Sequence, residues 1–229
     1  MGERTIENIT NSESDSSKES SAETENTEAA ETPETSVEGK TSDKAEYDDN
    51  ERVVEEEGVL ESPEQKLDTQ KEEIARAEEM GVDDLSNAEK GNYGEMKTDV
   101  YMAENGYERI SNDAVTSLNE KGHRGIDGVY ECKDGNSDKS QYIIGESKYG
   151  SSNLTENADG TKQMDREWIY DSERLDDAVG PEKAEEIRDM KDEDPDNVKS
   201  VLSRIDSDGN VELYELDDDG NIIKDKEVF

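Results

Sequence analysis

The chain has 229 residues, 65 of them acidic and 26 basic, for a formal charge of −39. Only 28% is hydrophobic, which excludes one core spanning the whole length and leaves part of the chain unfolded. A single cysteine, Cys132, excludes an internal disulfide and a cysteine metal cluster, and no apolar run reaches the 18 residues of a transmembrane helix.

The N-terminus lacks the basic and apolar regions of a standard signal peptide. The chain therefore reads as cytoplasmic, or as exported by a route not visible in the sequence, with no membrane partner. Residues 1–57 carry 19 Asp/Glu against 5 Lys/Arg and few large apolar side chains. Such a segment cannot offset an ordering entropy of roughly 1–2 kcal/mol per residue, so it is expected as a disordered acidic tail. The remainder is also strongly acidic. Adaptation to molar intracellular salt, where the Debye length falls to about 3 Å, explains this better than mimicry of nucleic acid. The acids are spread over many turns and helix faces rather than forming one stripe.

Residues 58–87 are expected as a linker, with Leu67 and Ile74 seven apart on a weak helical stripe that suits a solvated helix. The folded domain is expected at 88–229. Its first helix covers 86–105, with Met96, Val100 and Ala103 on one apolar face and Gly106 as C-cap. Tyr107 to Ile110 begins a strand, and Val115 and Leu118 form a short apolar patch beyond it.

Two apolar runs follow, 125–130 and 142–149, separated by Lys133-Asp134-Gly135-Asn136-Ser137-Asp138-Lys139. They predict a hairpin. A register that sets Val129 opposite Ile144 and Glu131 opposite Tyr142 centres the turn between Asn136 and Ser137. It also sets Asp127 opposite Glu146 with Cβ atoms about 5 Å apart. Lys148 shares the face of Glu146 because strand side chains alternate.

Next is a helix predicted over 162–179, with Met164, Trp168, Leu175 and Val179 buried, and a second over 181–191 opened by Pro181. The C-terminal part reads as strands at 198–205 and 211–216, each followed by an Asp/Gly turn, with Ile222 and Ile223 beyond. The Asp206-Ser207-Asp208-Gly209-Asn210 run lacks the later ligands of a calcium loop and suits a hairpin turn.

An acid on one strand, and an acid and a lysine two residues apart on the next, can hold a divalent metal beside a phosphate. The carboxylates bind the ion while leaving room for water and phosphate oxygens, and the lysine orients water or neutralises developing charge. Buried strands make unpaired acids expensive, which favours a role for Asp127 and Glu146 over a chance solvated face. Glu95 is a further candidate, since glycines in Gly91-Asn92-Tyr93-Gly94-Glu95 cost helix stability and suggest close backbone approach. Gln163 is a candidate to bond the scissile region. His123, the one histidine, either contacts phosphate or, more simply, closes a loop, and Trp168 reads as core rather than as a platform for base stacking. Residues 121–168 carry 7 Lys/Arg against 9 Asp/Glu, so the acid load is locally reduced where a phosphate backbone would lie.

Asp127 followed by Glu146-Ser147-Lys148 resembles the signature of the PD-(D/E)xK nuclease superfamily, with Ile126 where the name-giving proline would stand. More narrowly, Lys90–Lys97, His123–Tyr130, Ile144–Gly150 and Lys162–Met164 resemble C-terminal nuclease domains of bacterial polymorphic and contact-dependent toxins. The resemblance implies an α/β fold with a restriction-endonuclease-like mixed β-sheet flanked by helices. It also implies a catalytic set of Glu95, Asp127, Glu146 and Lys148, metal-dependent cleavage of DNA, and a cognate immunity protein as partner. Mg²⁺ is the expected cofactor, with Mn²⁺ or Zn²⁺ as alternatives, bound by Asp127, Glu146 and Glu95. Two other roles fit the same residues: a non-catalytic acidic DNA mimic, and a repair or restriction nuclease unconnected with toxins.

Overall fold

The computed structural model describes residues 61–133, 139–156, 160–224 and 228. The tail expected at 1–57 and the centre of the expected hairpin turn lie outside the described residues.

Ser62 and Ser86 open the first two helices in the same way. Each hydroxyl accepts the backbone N–H three residues on, and Gln65 or Glu89 reaches back to the cap's own N–H. The helices so capped are α1 (Pro63–Met80) and α2 (Asn87–Glu104). The α1 segment was expected to be a solvated linker helix and is not. It buries Gln70, Ile74 and Ala77, and its apolar side chains join a core cluster with Tyr93 and Met96 of α2. A stripe of two apolar residues sufficed because Gln70 supplies hydrogen bonds in place of apolar area. On α2, Met96 is buried as expected, but Val100 and Ala103 are only partly so. Asn92, Thr98 and Asp99 are buried instead, each through polar contacts.

Five strands form one mixed sheet in the order β1-β2-β3-β4-β5. They are β1 (Tyr107–Arg109), β2 (Gly128–Cys132), β3 (Tyr142–Tyr149), β4 (Val198–Ile205) and β5 (Val211–Leu216). The β2–β3 ladder has the expected register, with Val129 opposite Ile144 and Glu131 opposite Tyr142. Gly128 opposite Gly145 is its first pair, so Asp127 stands one residue before the strand. Strand β3 pairs with β4 in parallel, setting Glu146 beside Leu202 and Lys148 beside Arg204. The Asp206 turn is a hairpin turn, its carboxylate accepting the N–H groups of Asp208 and Asn210, and the Asp217 turn repeats it with Asp219 and Asn221.

The crossover from β3 to β4 holds α3 (Arg166–Tyr170), α4 (Arg174–Val179) and α5 (Pro181–Glu193). The single helix expected over 162–179 is therefore two. Met164 takes φ 70°, and Asp165 caps a fresh start by accepting the Trp168 N–H. After Tyr170 the chain turns, with the Ser172 hydroxyl bonding back to the Trp168 carbonyl. The side chains expected to be buried nonetheless pack together, because Met164, Trp168 and Leu175 join Val129, Ile144 and Leu202 in one cluster. Helices α3–α5 thus cover one sheet face. On the other face, Met102 of α2 packs with Tyr130, Ile143 and Val201. No helix of the described residues is long and apolar enough to cross a membrane.

Gly128 makes room for its own strand. A Cβ there would stand 2.2 Å from the Tyr130 hydroxyl, and Tyr130 is 2% exposed. Gly128→Ala is therefore expected to destabilise the fold by about 2 kcal/mol, read as a lowered urea midpoint. An unchanged midpoint would show that the ring can turn aside.

Candidate functional site

The C-terminal half of β3 turns Glu146 and Lys148 toward the α3–α5 side of the sheet. Glu146 is 2% exposed. Its Oε1 accepts from Lys148 Nζ at 2.5 Å and from Gln163 Nε2 at 2.6 Å. Gln163 precedes α3 rather than opening it. Its own N–H bonds to the Thr155 carbonyl at 2.8 Å, which fixes the turn that carries it. The second oxygen of Glu146, Oε2, is buried and takes no hydrogen bond.

Asp127 enters from the start of β2. Its Oδ2 accepts the Ser147 N–H at 2.9 Å, so the acid is tied to β3 between Glu146 and Lys148. Its carbonyl accepts from Arg109 at 2.7 Å. From α2, Glu95 brings a carboxylate oxygen within 4.8 Å of ligand atoms on both Asp127 and His123. A Cβ on the neighbouring Gly94 would stand at ordinary contact distance from Ile205, and one on Gly91, which borders the cleft, would meet open space, so close approach does not explain Gly91.

Burial and crowding of like charge set the electrostatics. Burial pushes the Asp127 carboxyl well above its ordinary range, and the charges of Glu146 and Glu95 add to this against the pull of the Ser147 N–H and Lys148. Burial also raises Glu146, opposed chiefly by Lys148. Carboxylates crowded in this way, with a buried Glu146 oxygen that has no hydrogen-bond partner, are a costly arrangement that a cation would relieve. Among the described residues, the side chains whose ligand atoms lie within 4.8 Å of one another are Glu95, His123 and Asp127, a set that could hold a divalent ion, and the expected ligand Glu146 is not part of it.

These groups line one open cleft of about 670 Å³. Lys90, Arg124, Lys148 and Arg174 border it along with the three acids, so cations outnumber acids here although the whole chain carries −39. Trp168 is core, as its sequence context suggests, yet one side borders the cleft, with the Arg174 guanidinium 4.6 Å from its ring.

The cleft therefore gathers Glu95, Asp127, Glu146, Lys148 and Gln163. It also takes in His123, which lies on the loop before β2 and whose imidazole faces Glu95 at 3.5 Å. No sequence spacing pointed to that contact, because the two residues lie on a helix and a distant loop. Comparison of the chain with protein-family models, with curated proteins and with solved structures finds no match.

Proposed function

We propose that this protein is a metal-dependent nuclease that hydrolyses phosphodiester bonds of DNA, with a restriction-endonuclease-like sheet as its scaffold. The observation that carries this reading is one cleft, bordered by cations, lined by Glu95, Asp127 and Glu146 with Lys148 and Gln163, the last two both bonded to Glu146. A mimic of nucleic acid would hold its carboxylates apart along a face, whereas Glu95 and Asp127 come within 4.8 Å.

Lys90, Arg124 and Arg174 attract the phosphate backbone into the cleft. Glu95, Asp127 and Glu146 hold a divalent ion, Mg²⁺ by the sequence expectation. When bound, that ion polarises the phosphoryl oxygens and lowers the pKa of water. Lys148, fixed by Glu146, neutralises charge that grows on the phosphoryl oxygens in the transition state. Gln163 holds Glu146 from the other side and keeps its free oxygen turned to the site. The Ser147 N–H keeps the Asp127 carboxylate from swinging toward solvent, while Arg109 anchors its backbone carbonyl. The resemblance to toxin nuclease domains supports a toxin-like role, in which a cognate immunity protein would cover this cleft.

The test is supercoiled plasmid incubated with Mg²⁺, Mn²⁺, Zn²⁺ or EDTA, at low and at molar KCl. Metal-dependent nicking that survives molar KCl is expected, with at least about a hundredfold loss in Glu146→Ala and in Lys148→Ala. Equal activity in wild type and variants, or none under any condition, sinks the reading.

A further inference from the structure

Two partly buried side chains meet in the cleft, the His123 imidazole and the Glu95 carboxylate. His123 Nε2 lies 3.5 Å from Glu95 Oε2, an ion pair when the imidazole is protonated, and neither buried atom has any other partner. A ligand atom of Asp127 lies within 4.8 Å of both residues' own. Glu146, 2% exposed, contributes a further unpartnered oxygen to the same cleft.

We infer that His123 is a nitrogen ligand of the metal, together with Glu95 and Asp127, and that the site consequently selects Zn²⁺ over Mg²⁺. This rests on the proposed reading only in requiring that a metal is bound. Imidazole suits zinc, whereas magnesium prefers oxygen ligands and sheds water reluctantly. The spacing agrees. Tetrahedral ligands at about 2.0–2.1 Å from zinc stand about 3.3 Å apart. Adjacent oxygens around octahedral magnesium stand about 2.9 Å apart. The 3.5 Å between His123 and Glu95 is nearer the first. The chain also builds the pair economically: His123 and Asp127 leave one short loop that bends at Gly125, φ 129°, while Glu95 is fixed on α2.

His123 is the only histidine, so its ring signals in a nitrogen-15 spectrum of the full chain are unambiguous. In molar KCl, which suppresses loose binding to surface carboxylates, one equivalent of Zn²⁺ should shift Nε2 and fix the tautomer. Mg²⁺ in large excess should leave the ring unmoved. Calorimetric titration should show Zn²⁺ affinity falling at least about tenfold in His123→Gln, with Mg²⁺ affinity nearly unchanged. Saturation by Zn²⁺ without movement of the ring overturns the inference, as does equal Zn²⁺ affinity in the variant. Should the variant fail to fold, the wild-type ring spectrum decides alone. Zinc held by His123 without DNA cleavage keeps this inference and sinks the nuclease reading. Cleavage with Mg²⁺ while Zn²⁺ leaves the ring unmoved does the reverse.

Discussion

Asp127→Asn is expected to lower plasmid cleavage by about a thousandfold or more while making the metal-free protein more stable at neutral pH. On the proposed nuclease reading, the first effect follows from removing a charged metal ligand, where several kcal/mol of transition-state stabilisation are at stake. The second follows from the raised Asp127 carboxyl, which burial, Glu146 and Glu95 hold well above its ordinary range. A carboxyl raised on folding keeps its proton in the native state at a pH where the unfolded chain has released it. Its contribution is fully present below the ordinary carboxylate range near pH 4 and is lost as pH rises through the folded value. In EDTA, wild type should therefore lose stability relative to the variant from about pH 4 toward neutrality. Asparagine carries no charge and still offers an oxygen to the Ser147 N–H, so its profile should be flatter and higher at neutral pH. Urea unfolding across that range decides the matter. A variant less stable than wild type at pH 7 would mean that the ionised acid supports the fold.

Asp99→Ala should give the largest loss of stability, about 3–5 kcal/mol. Asp99 is 3% exposed on α2 and gathers three partners: Gln70 of α1 at 2.6 Å, Arg109 of β1 at 2.8 Å and Tyr130 of β2 at 2.7 Å. Its removal strands a largely buried guanidinium. Breaking a buried pair in this way costs far more than the intact pair contributes, because one charge stays desolvated without compensation. Arg109 also donates to the carbonyls of Asp113 and Asp127, so the damage should reach the cleft. Chemical denaturation of Asp99→Ala beside Arg109→Ala checks this. A cost below about 1 kcal/mol for Asp99→Ala would mean that water replaces the lost carboxylate.

The hairpin was legible because two constraints had one common solution. Alternation fixed which residues of β2 and β3 share a face, and Val129 could meet Ile144 only with the turn at the Gly/Asn/Asp run. Strand spacing likewise put Glu146 and Lys148 side by side. The break between α3 and α4 was hidden because Met164, Trp168, Leu175 and Val179 keep a helical spacing. The left-handed Met164 and the Ser172 turn let the same residues face the sheet without a continuous helix. His123 and the Asp99 hub were hidden for a different reason. A sequence that is 40% charged offers an acid near every position, so only tertiary contact separates the buried acids from the solvated ones. The role of α1 was missed because part of what it buries is an amide.

Parallel pairing bears on the order in which the cleft can assemble. Asp127 and Glu146 come together by closing a hairpin, whereas β4 reaches β3 only after the whole α3–α5 crossover. Loop-closure entropy rises with the length of chain enclosed, and ladders between distant segments slow folding. During synthesis the two acids emerge before Gln163 and β4 exist to fix them in place. A nascent chain thus holds the acids before it holds the finished site, and the assembled cleft waits on the C-terminal strands.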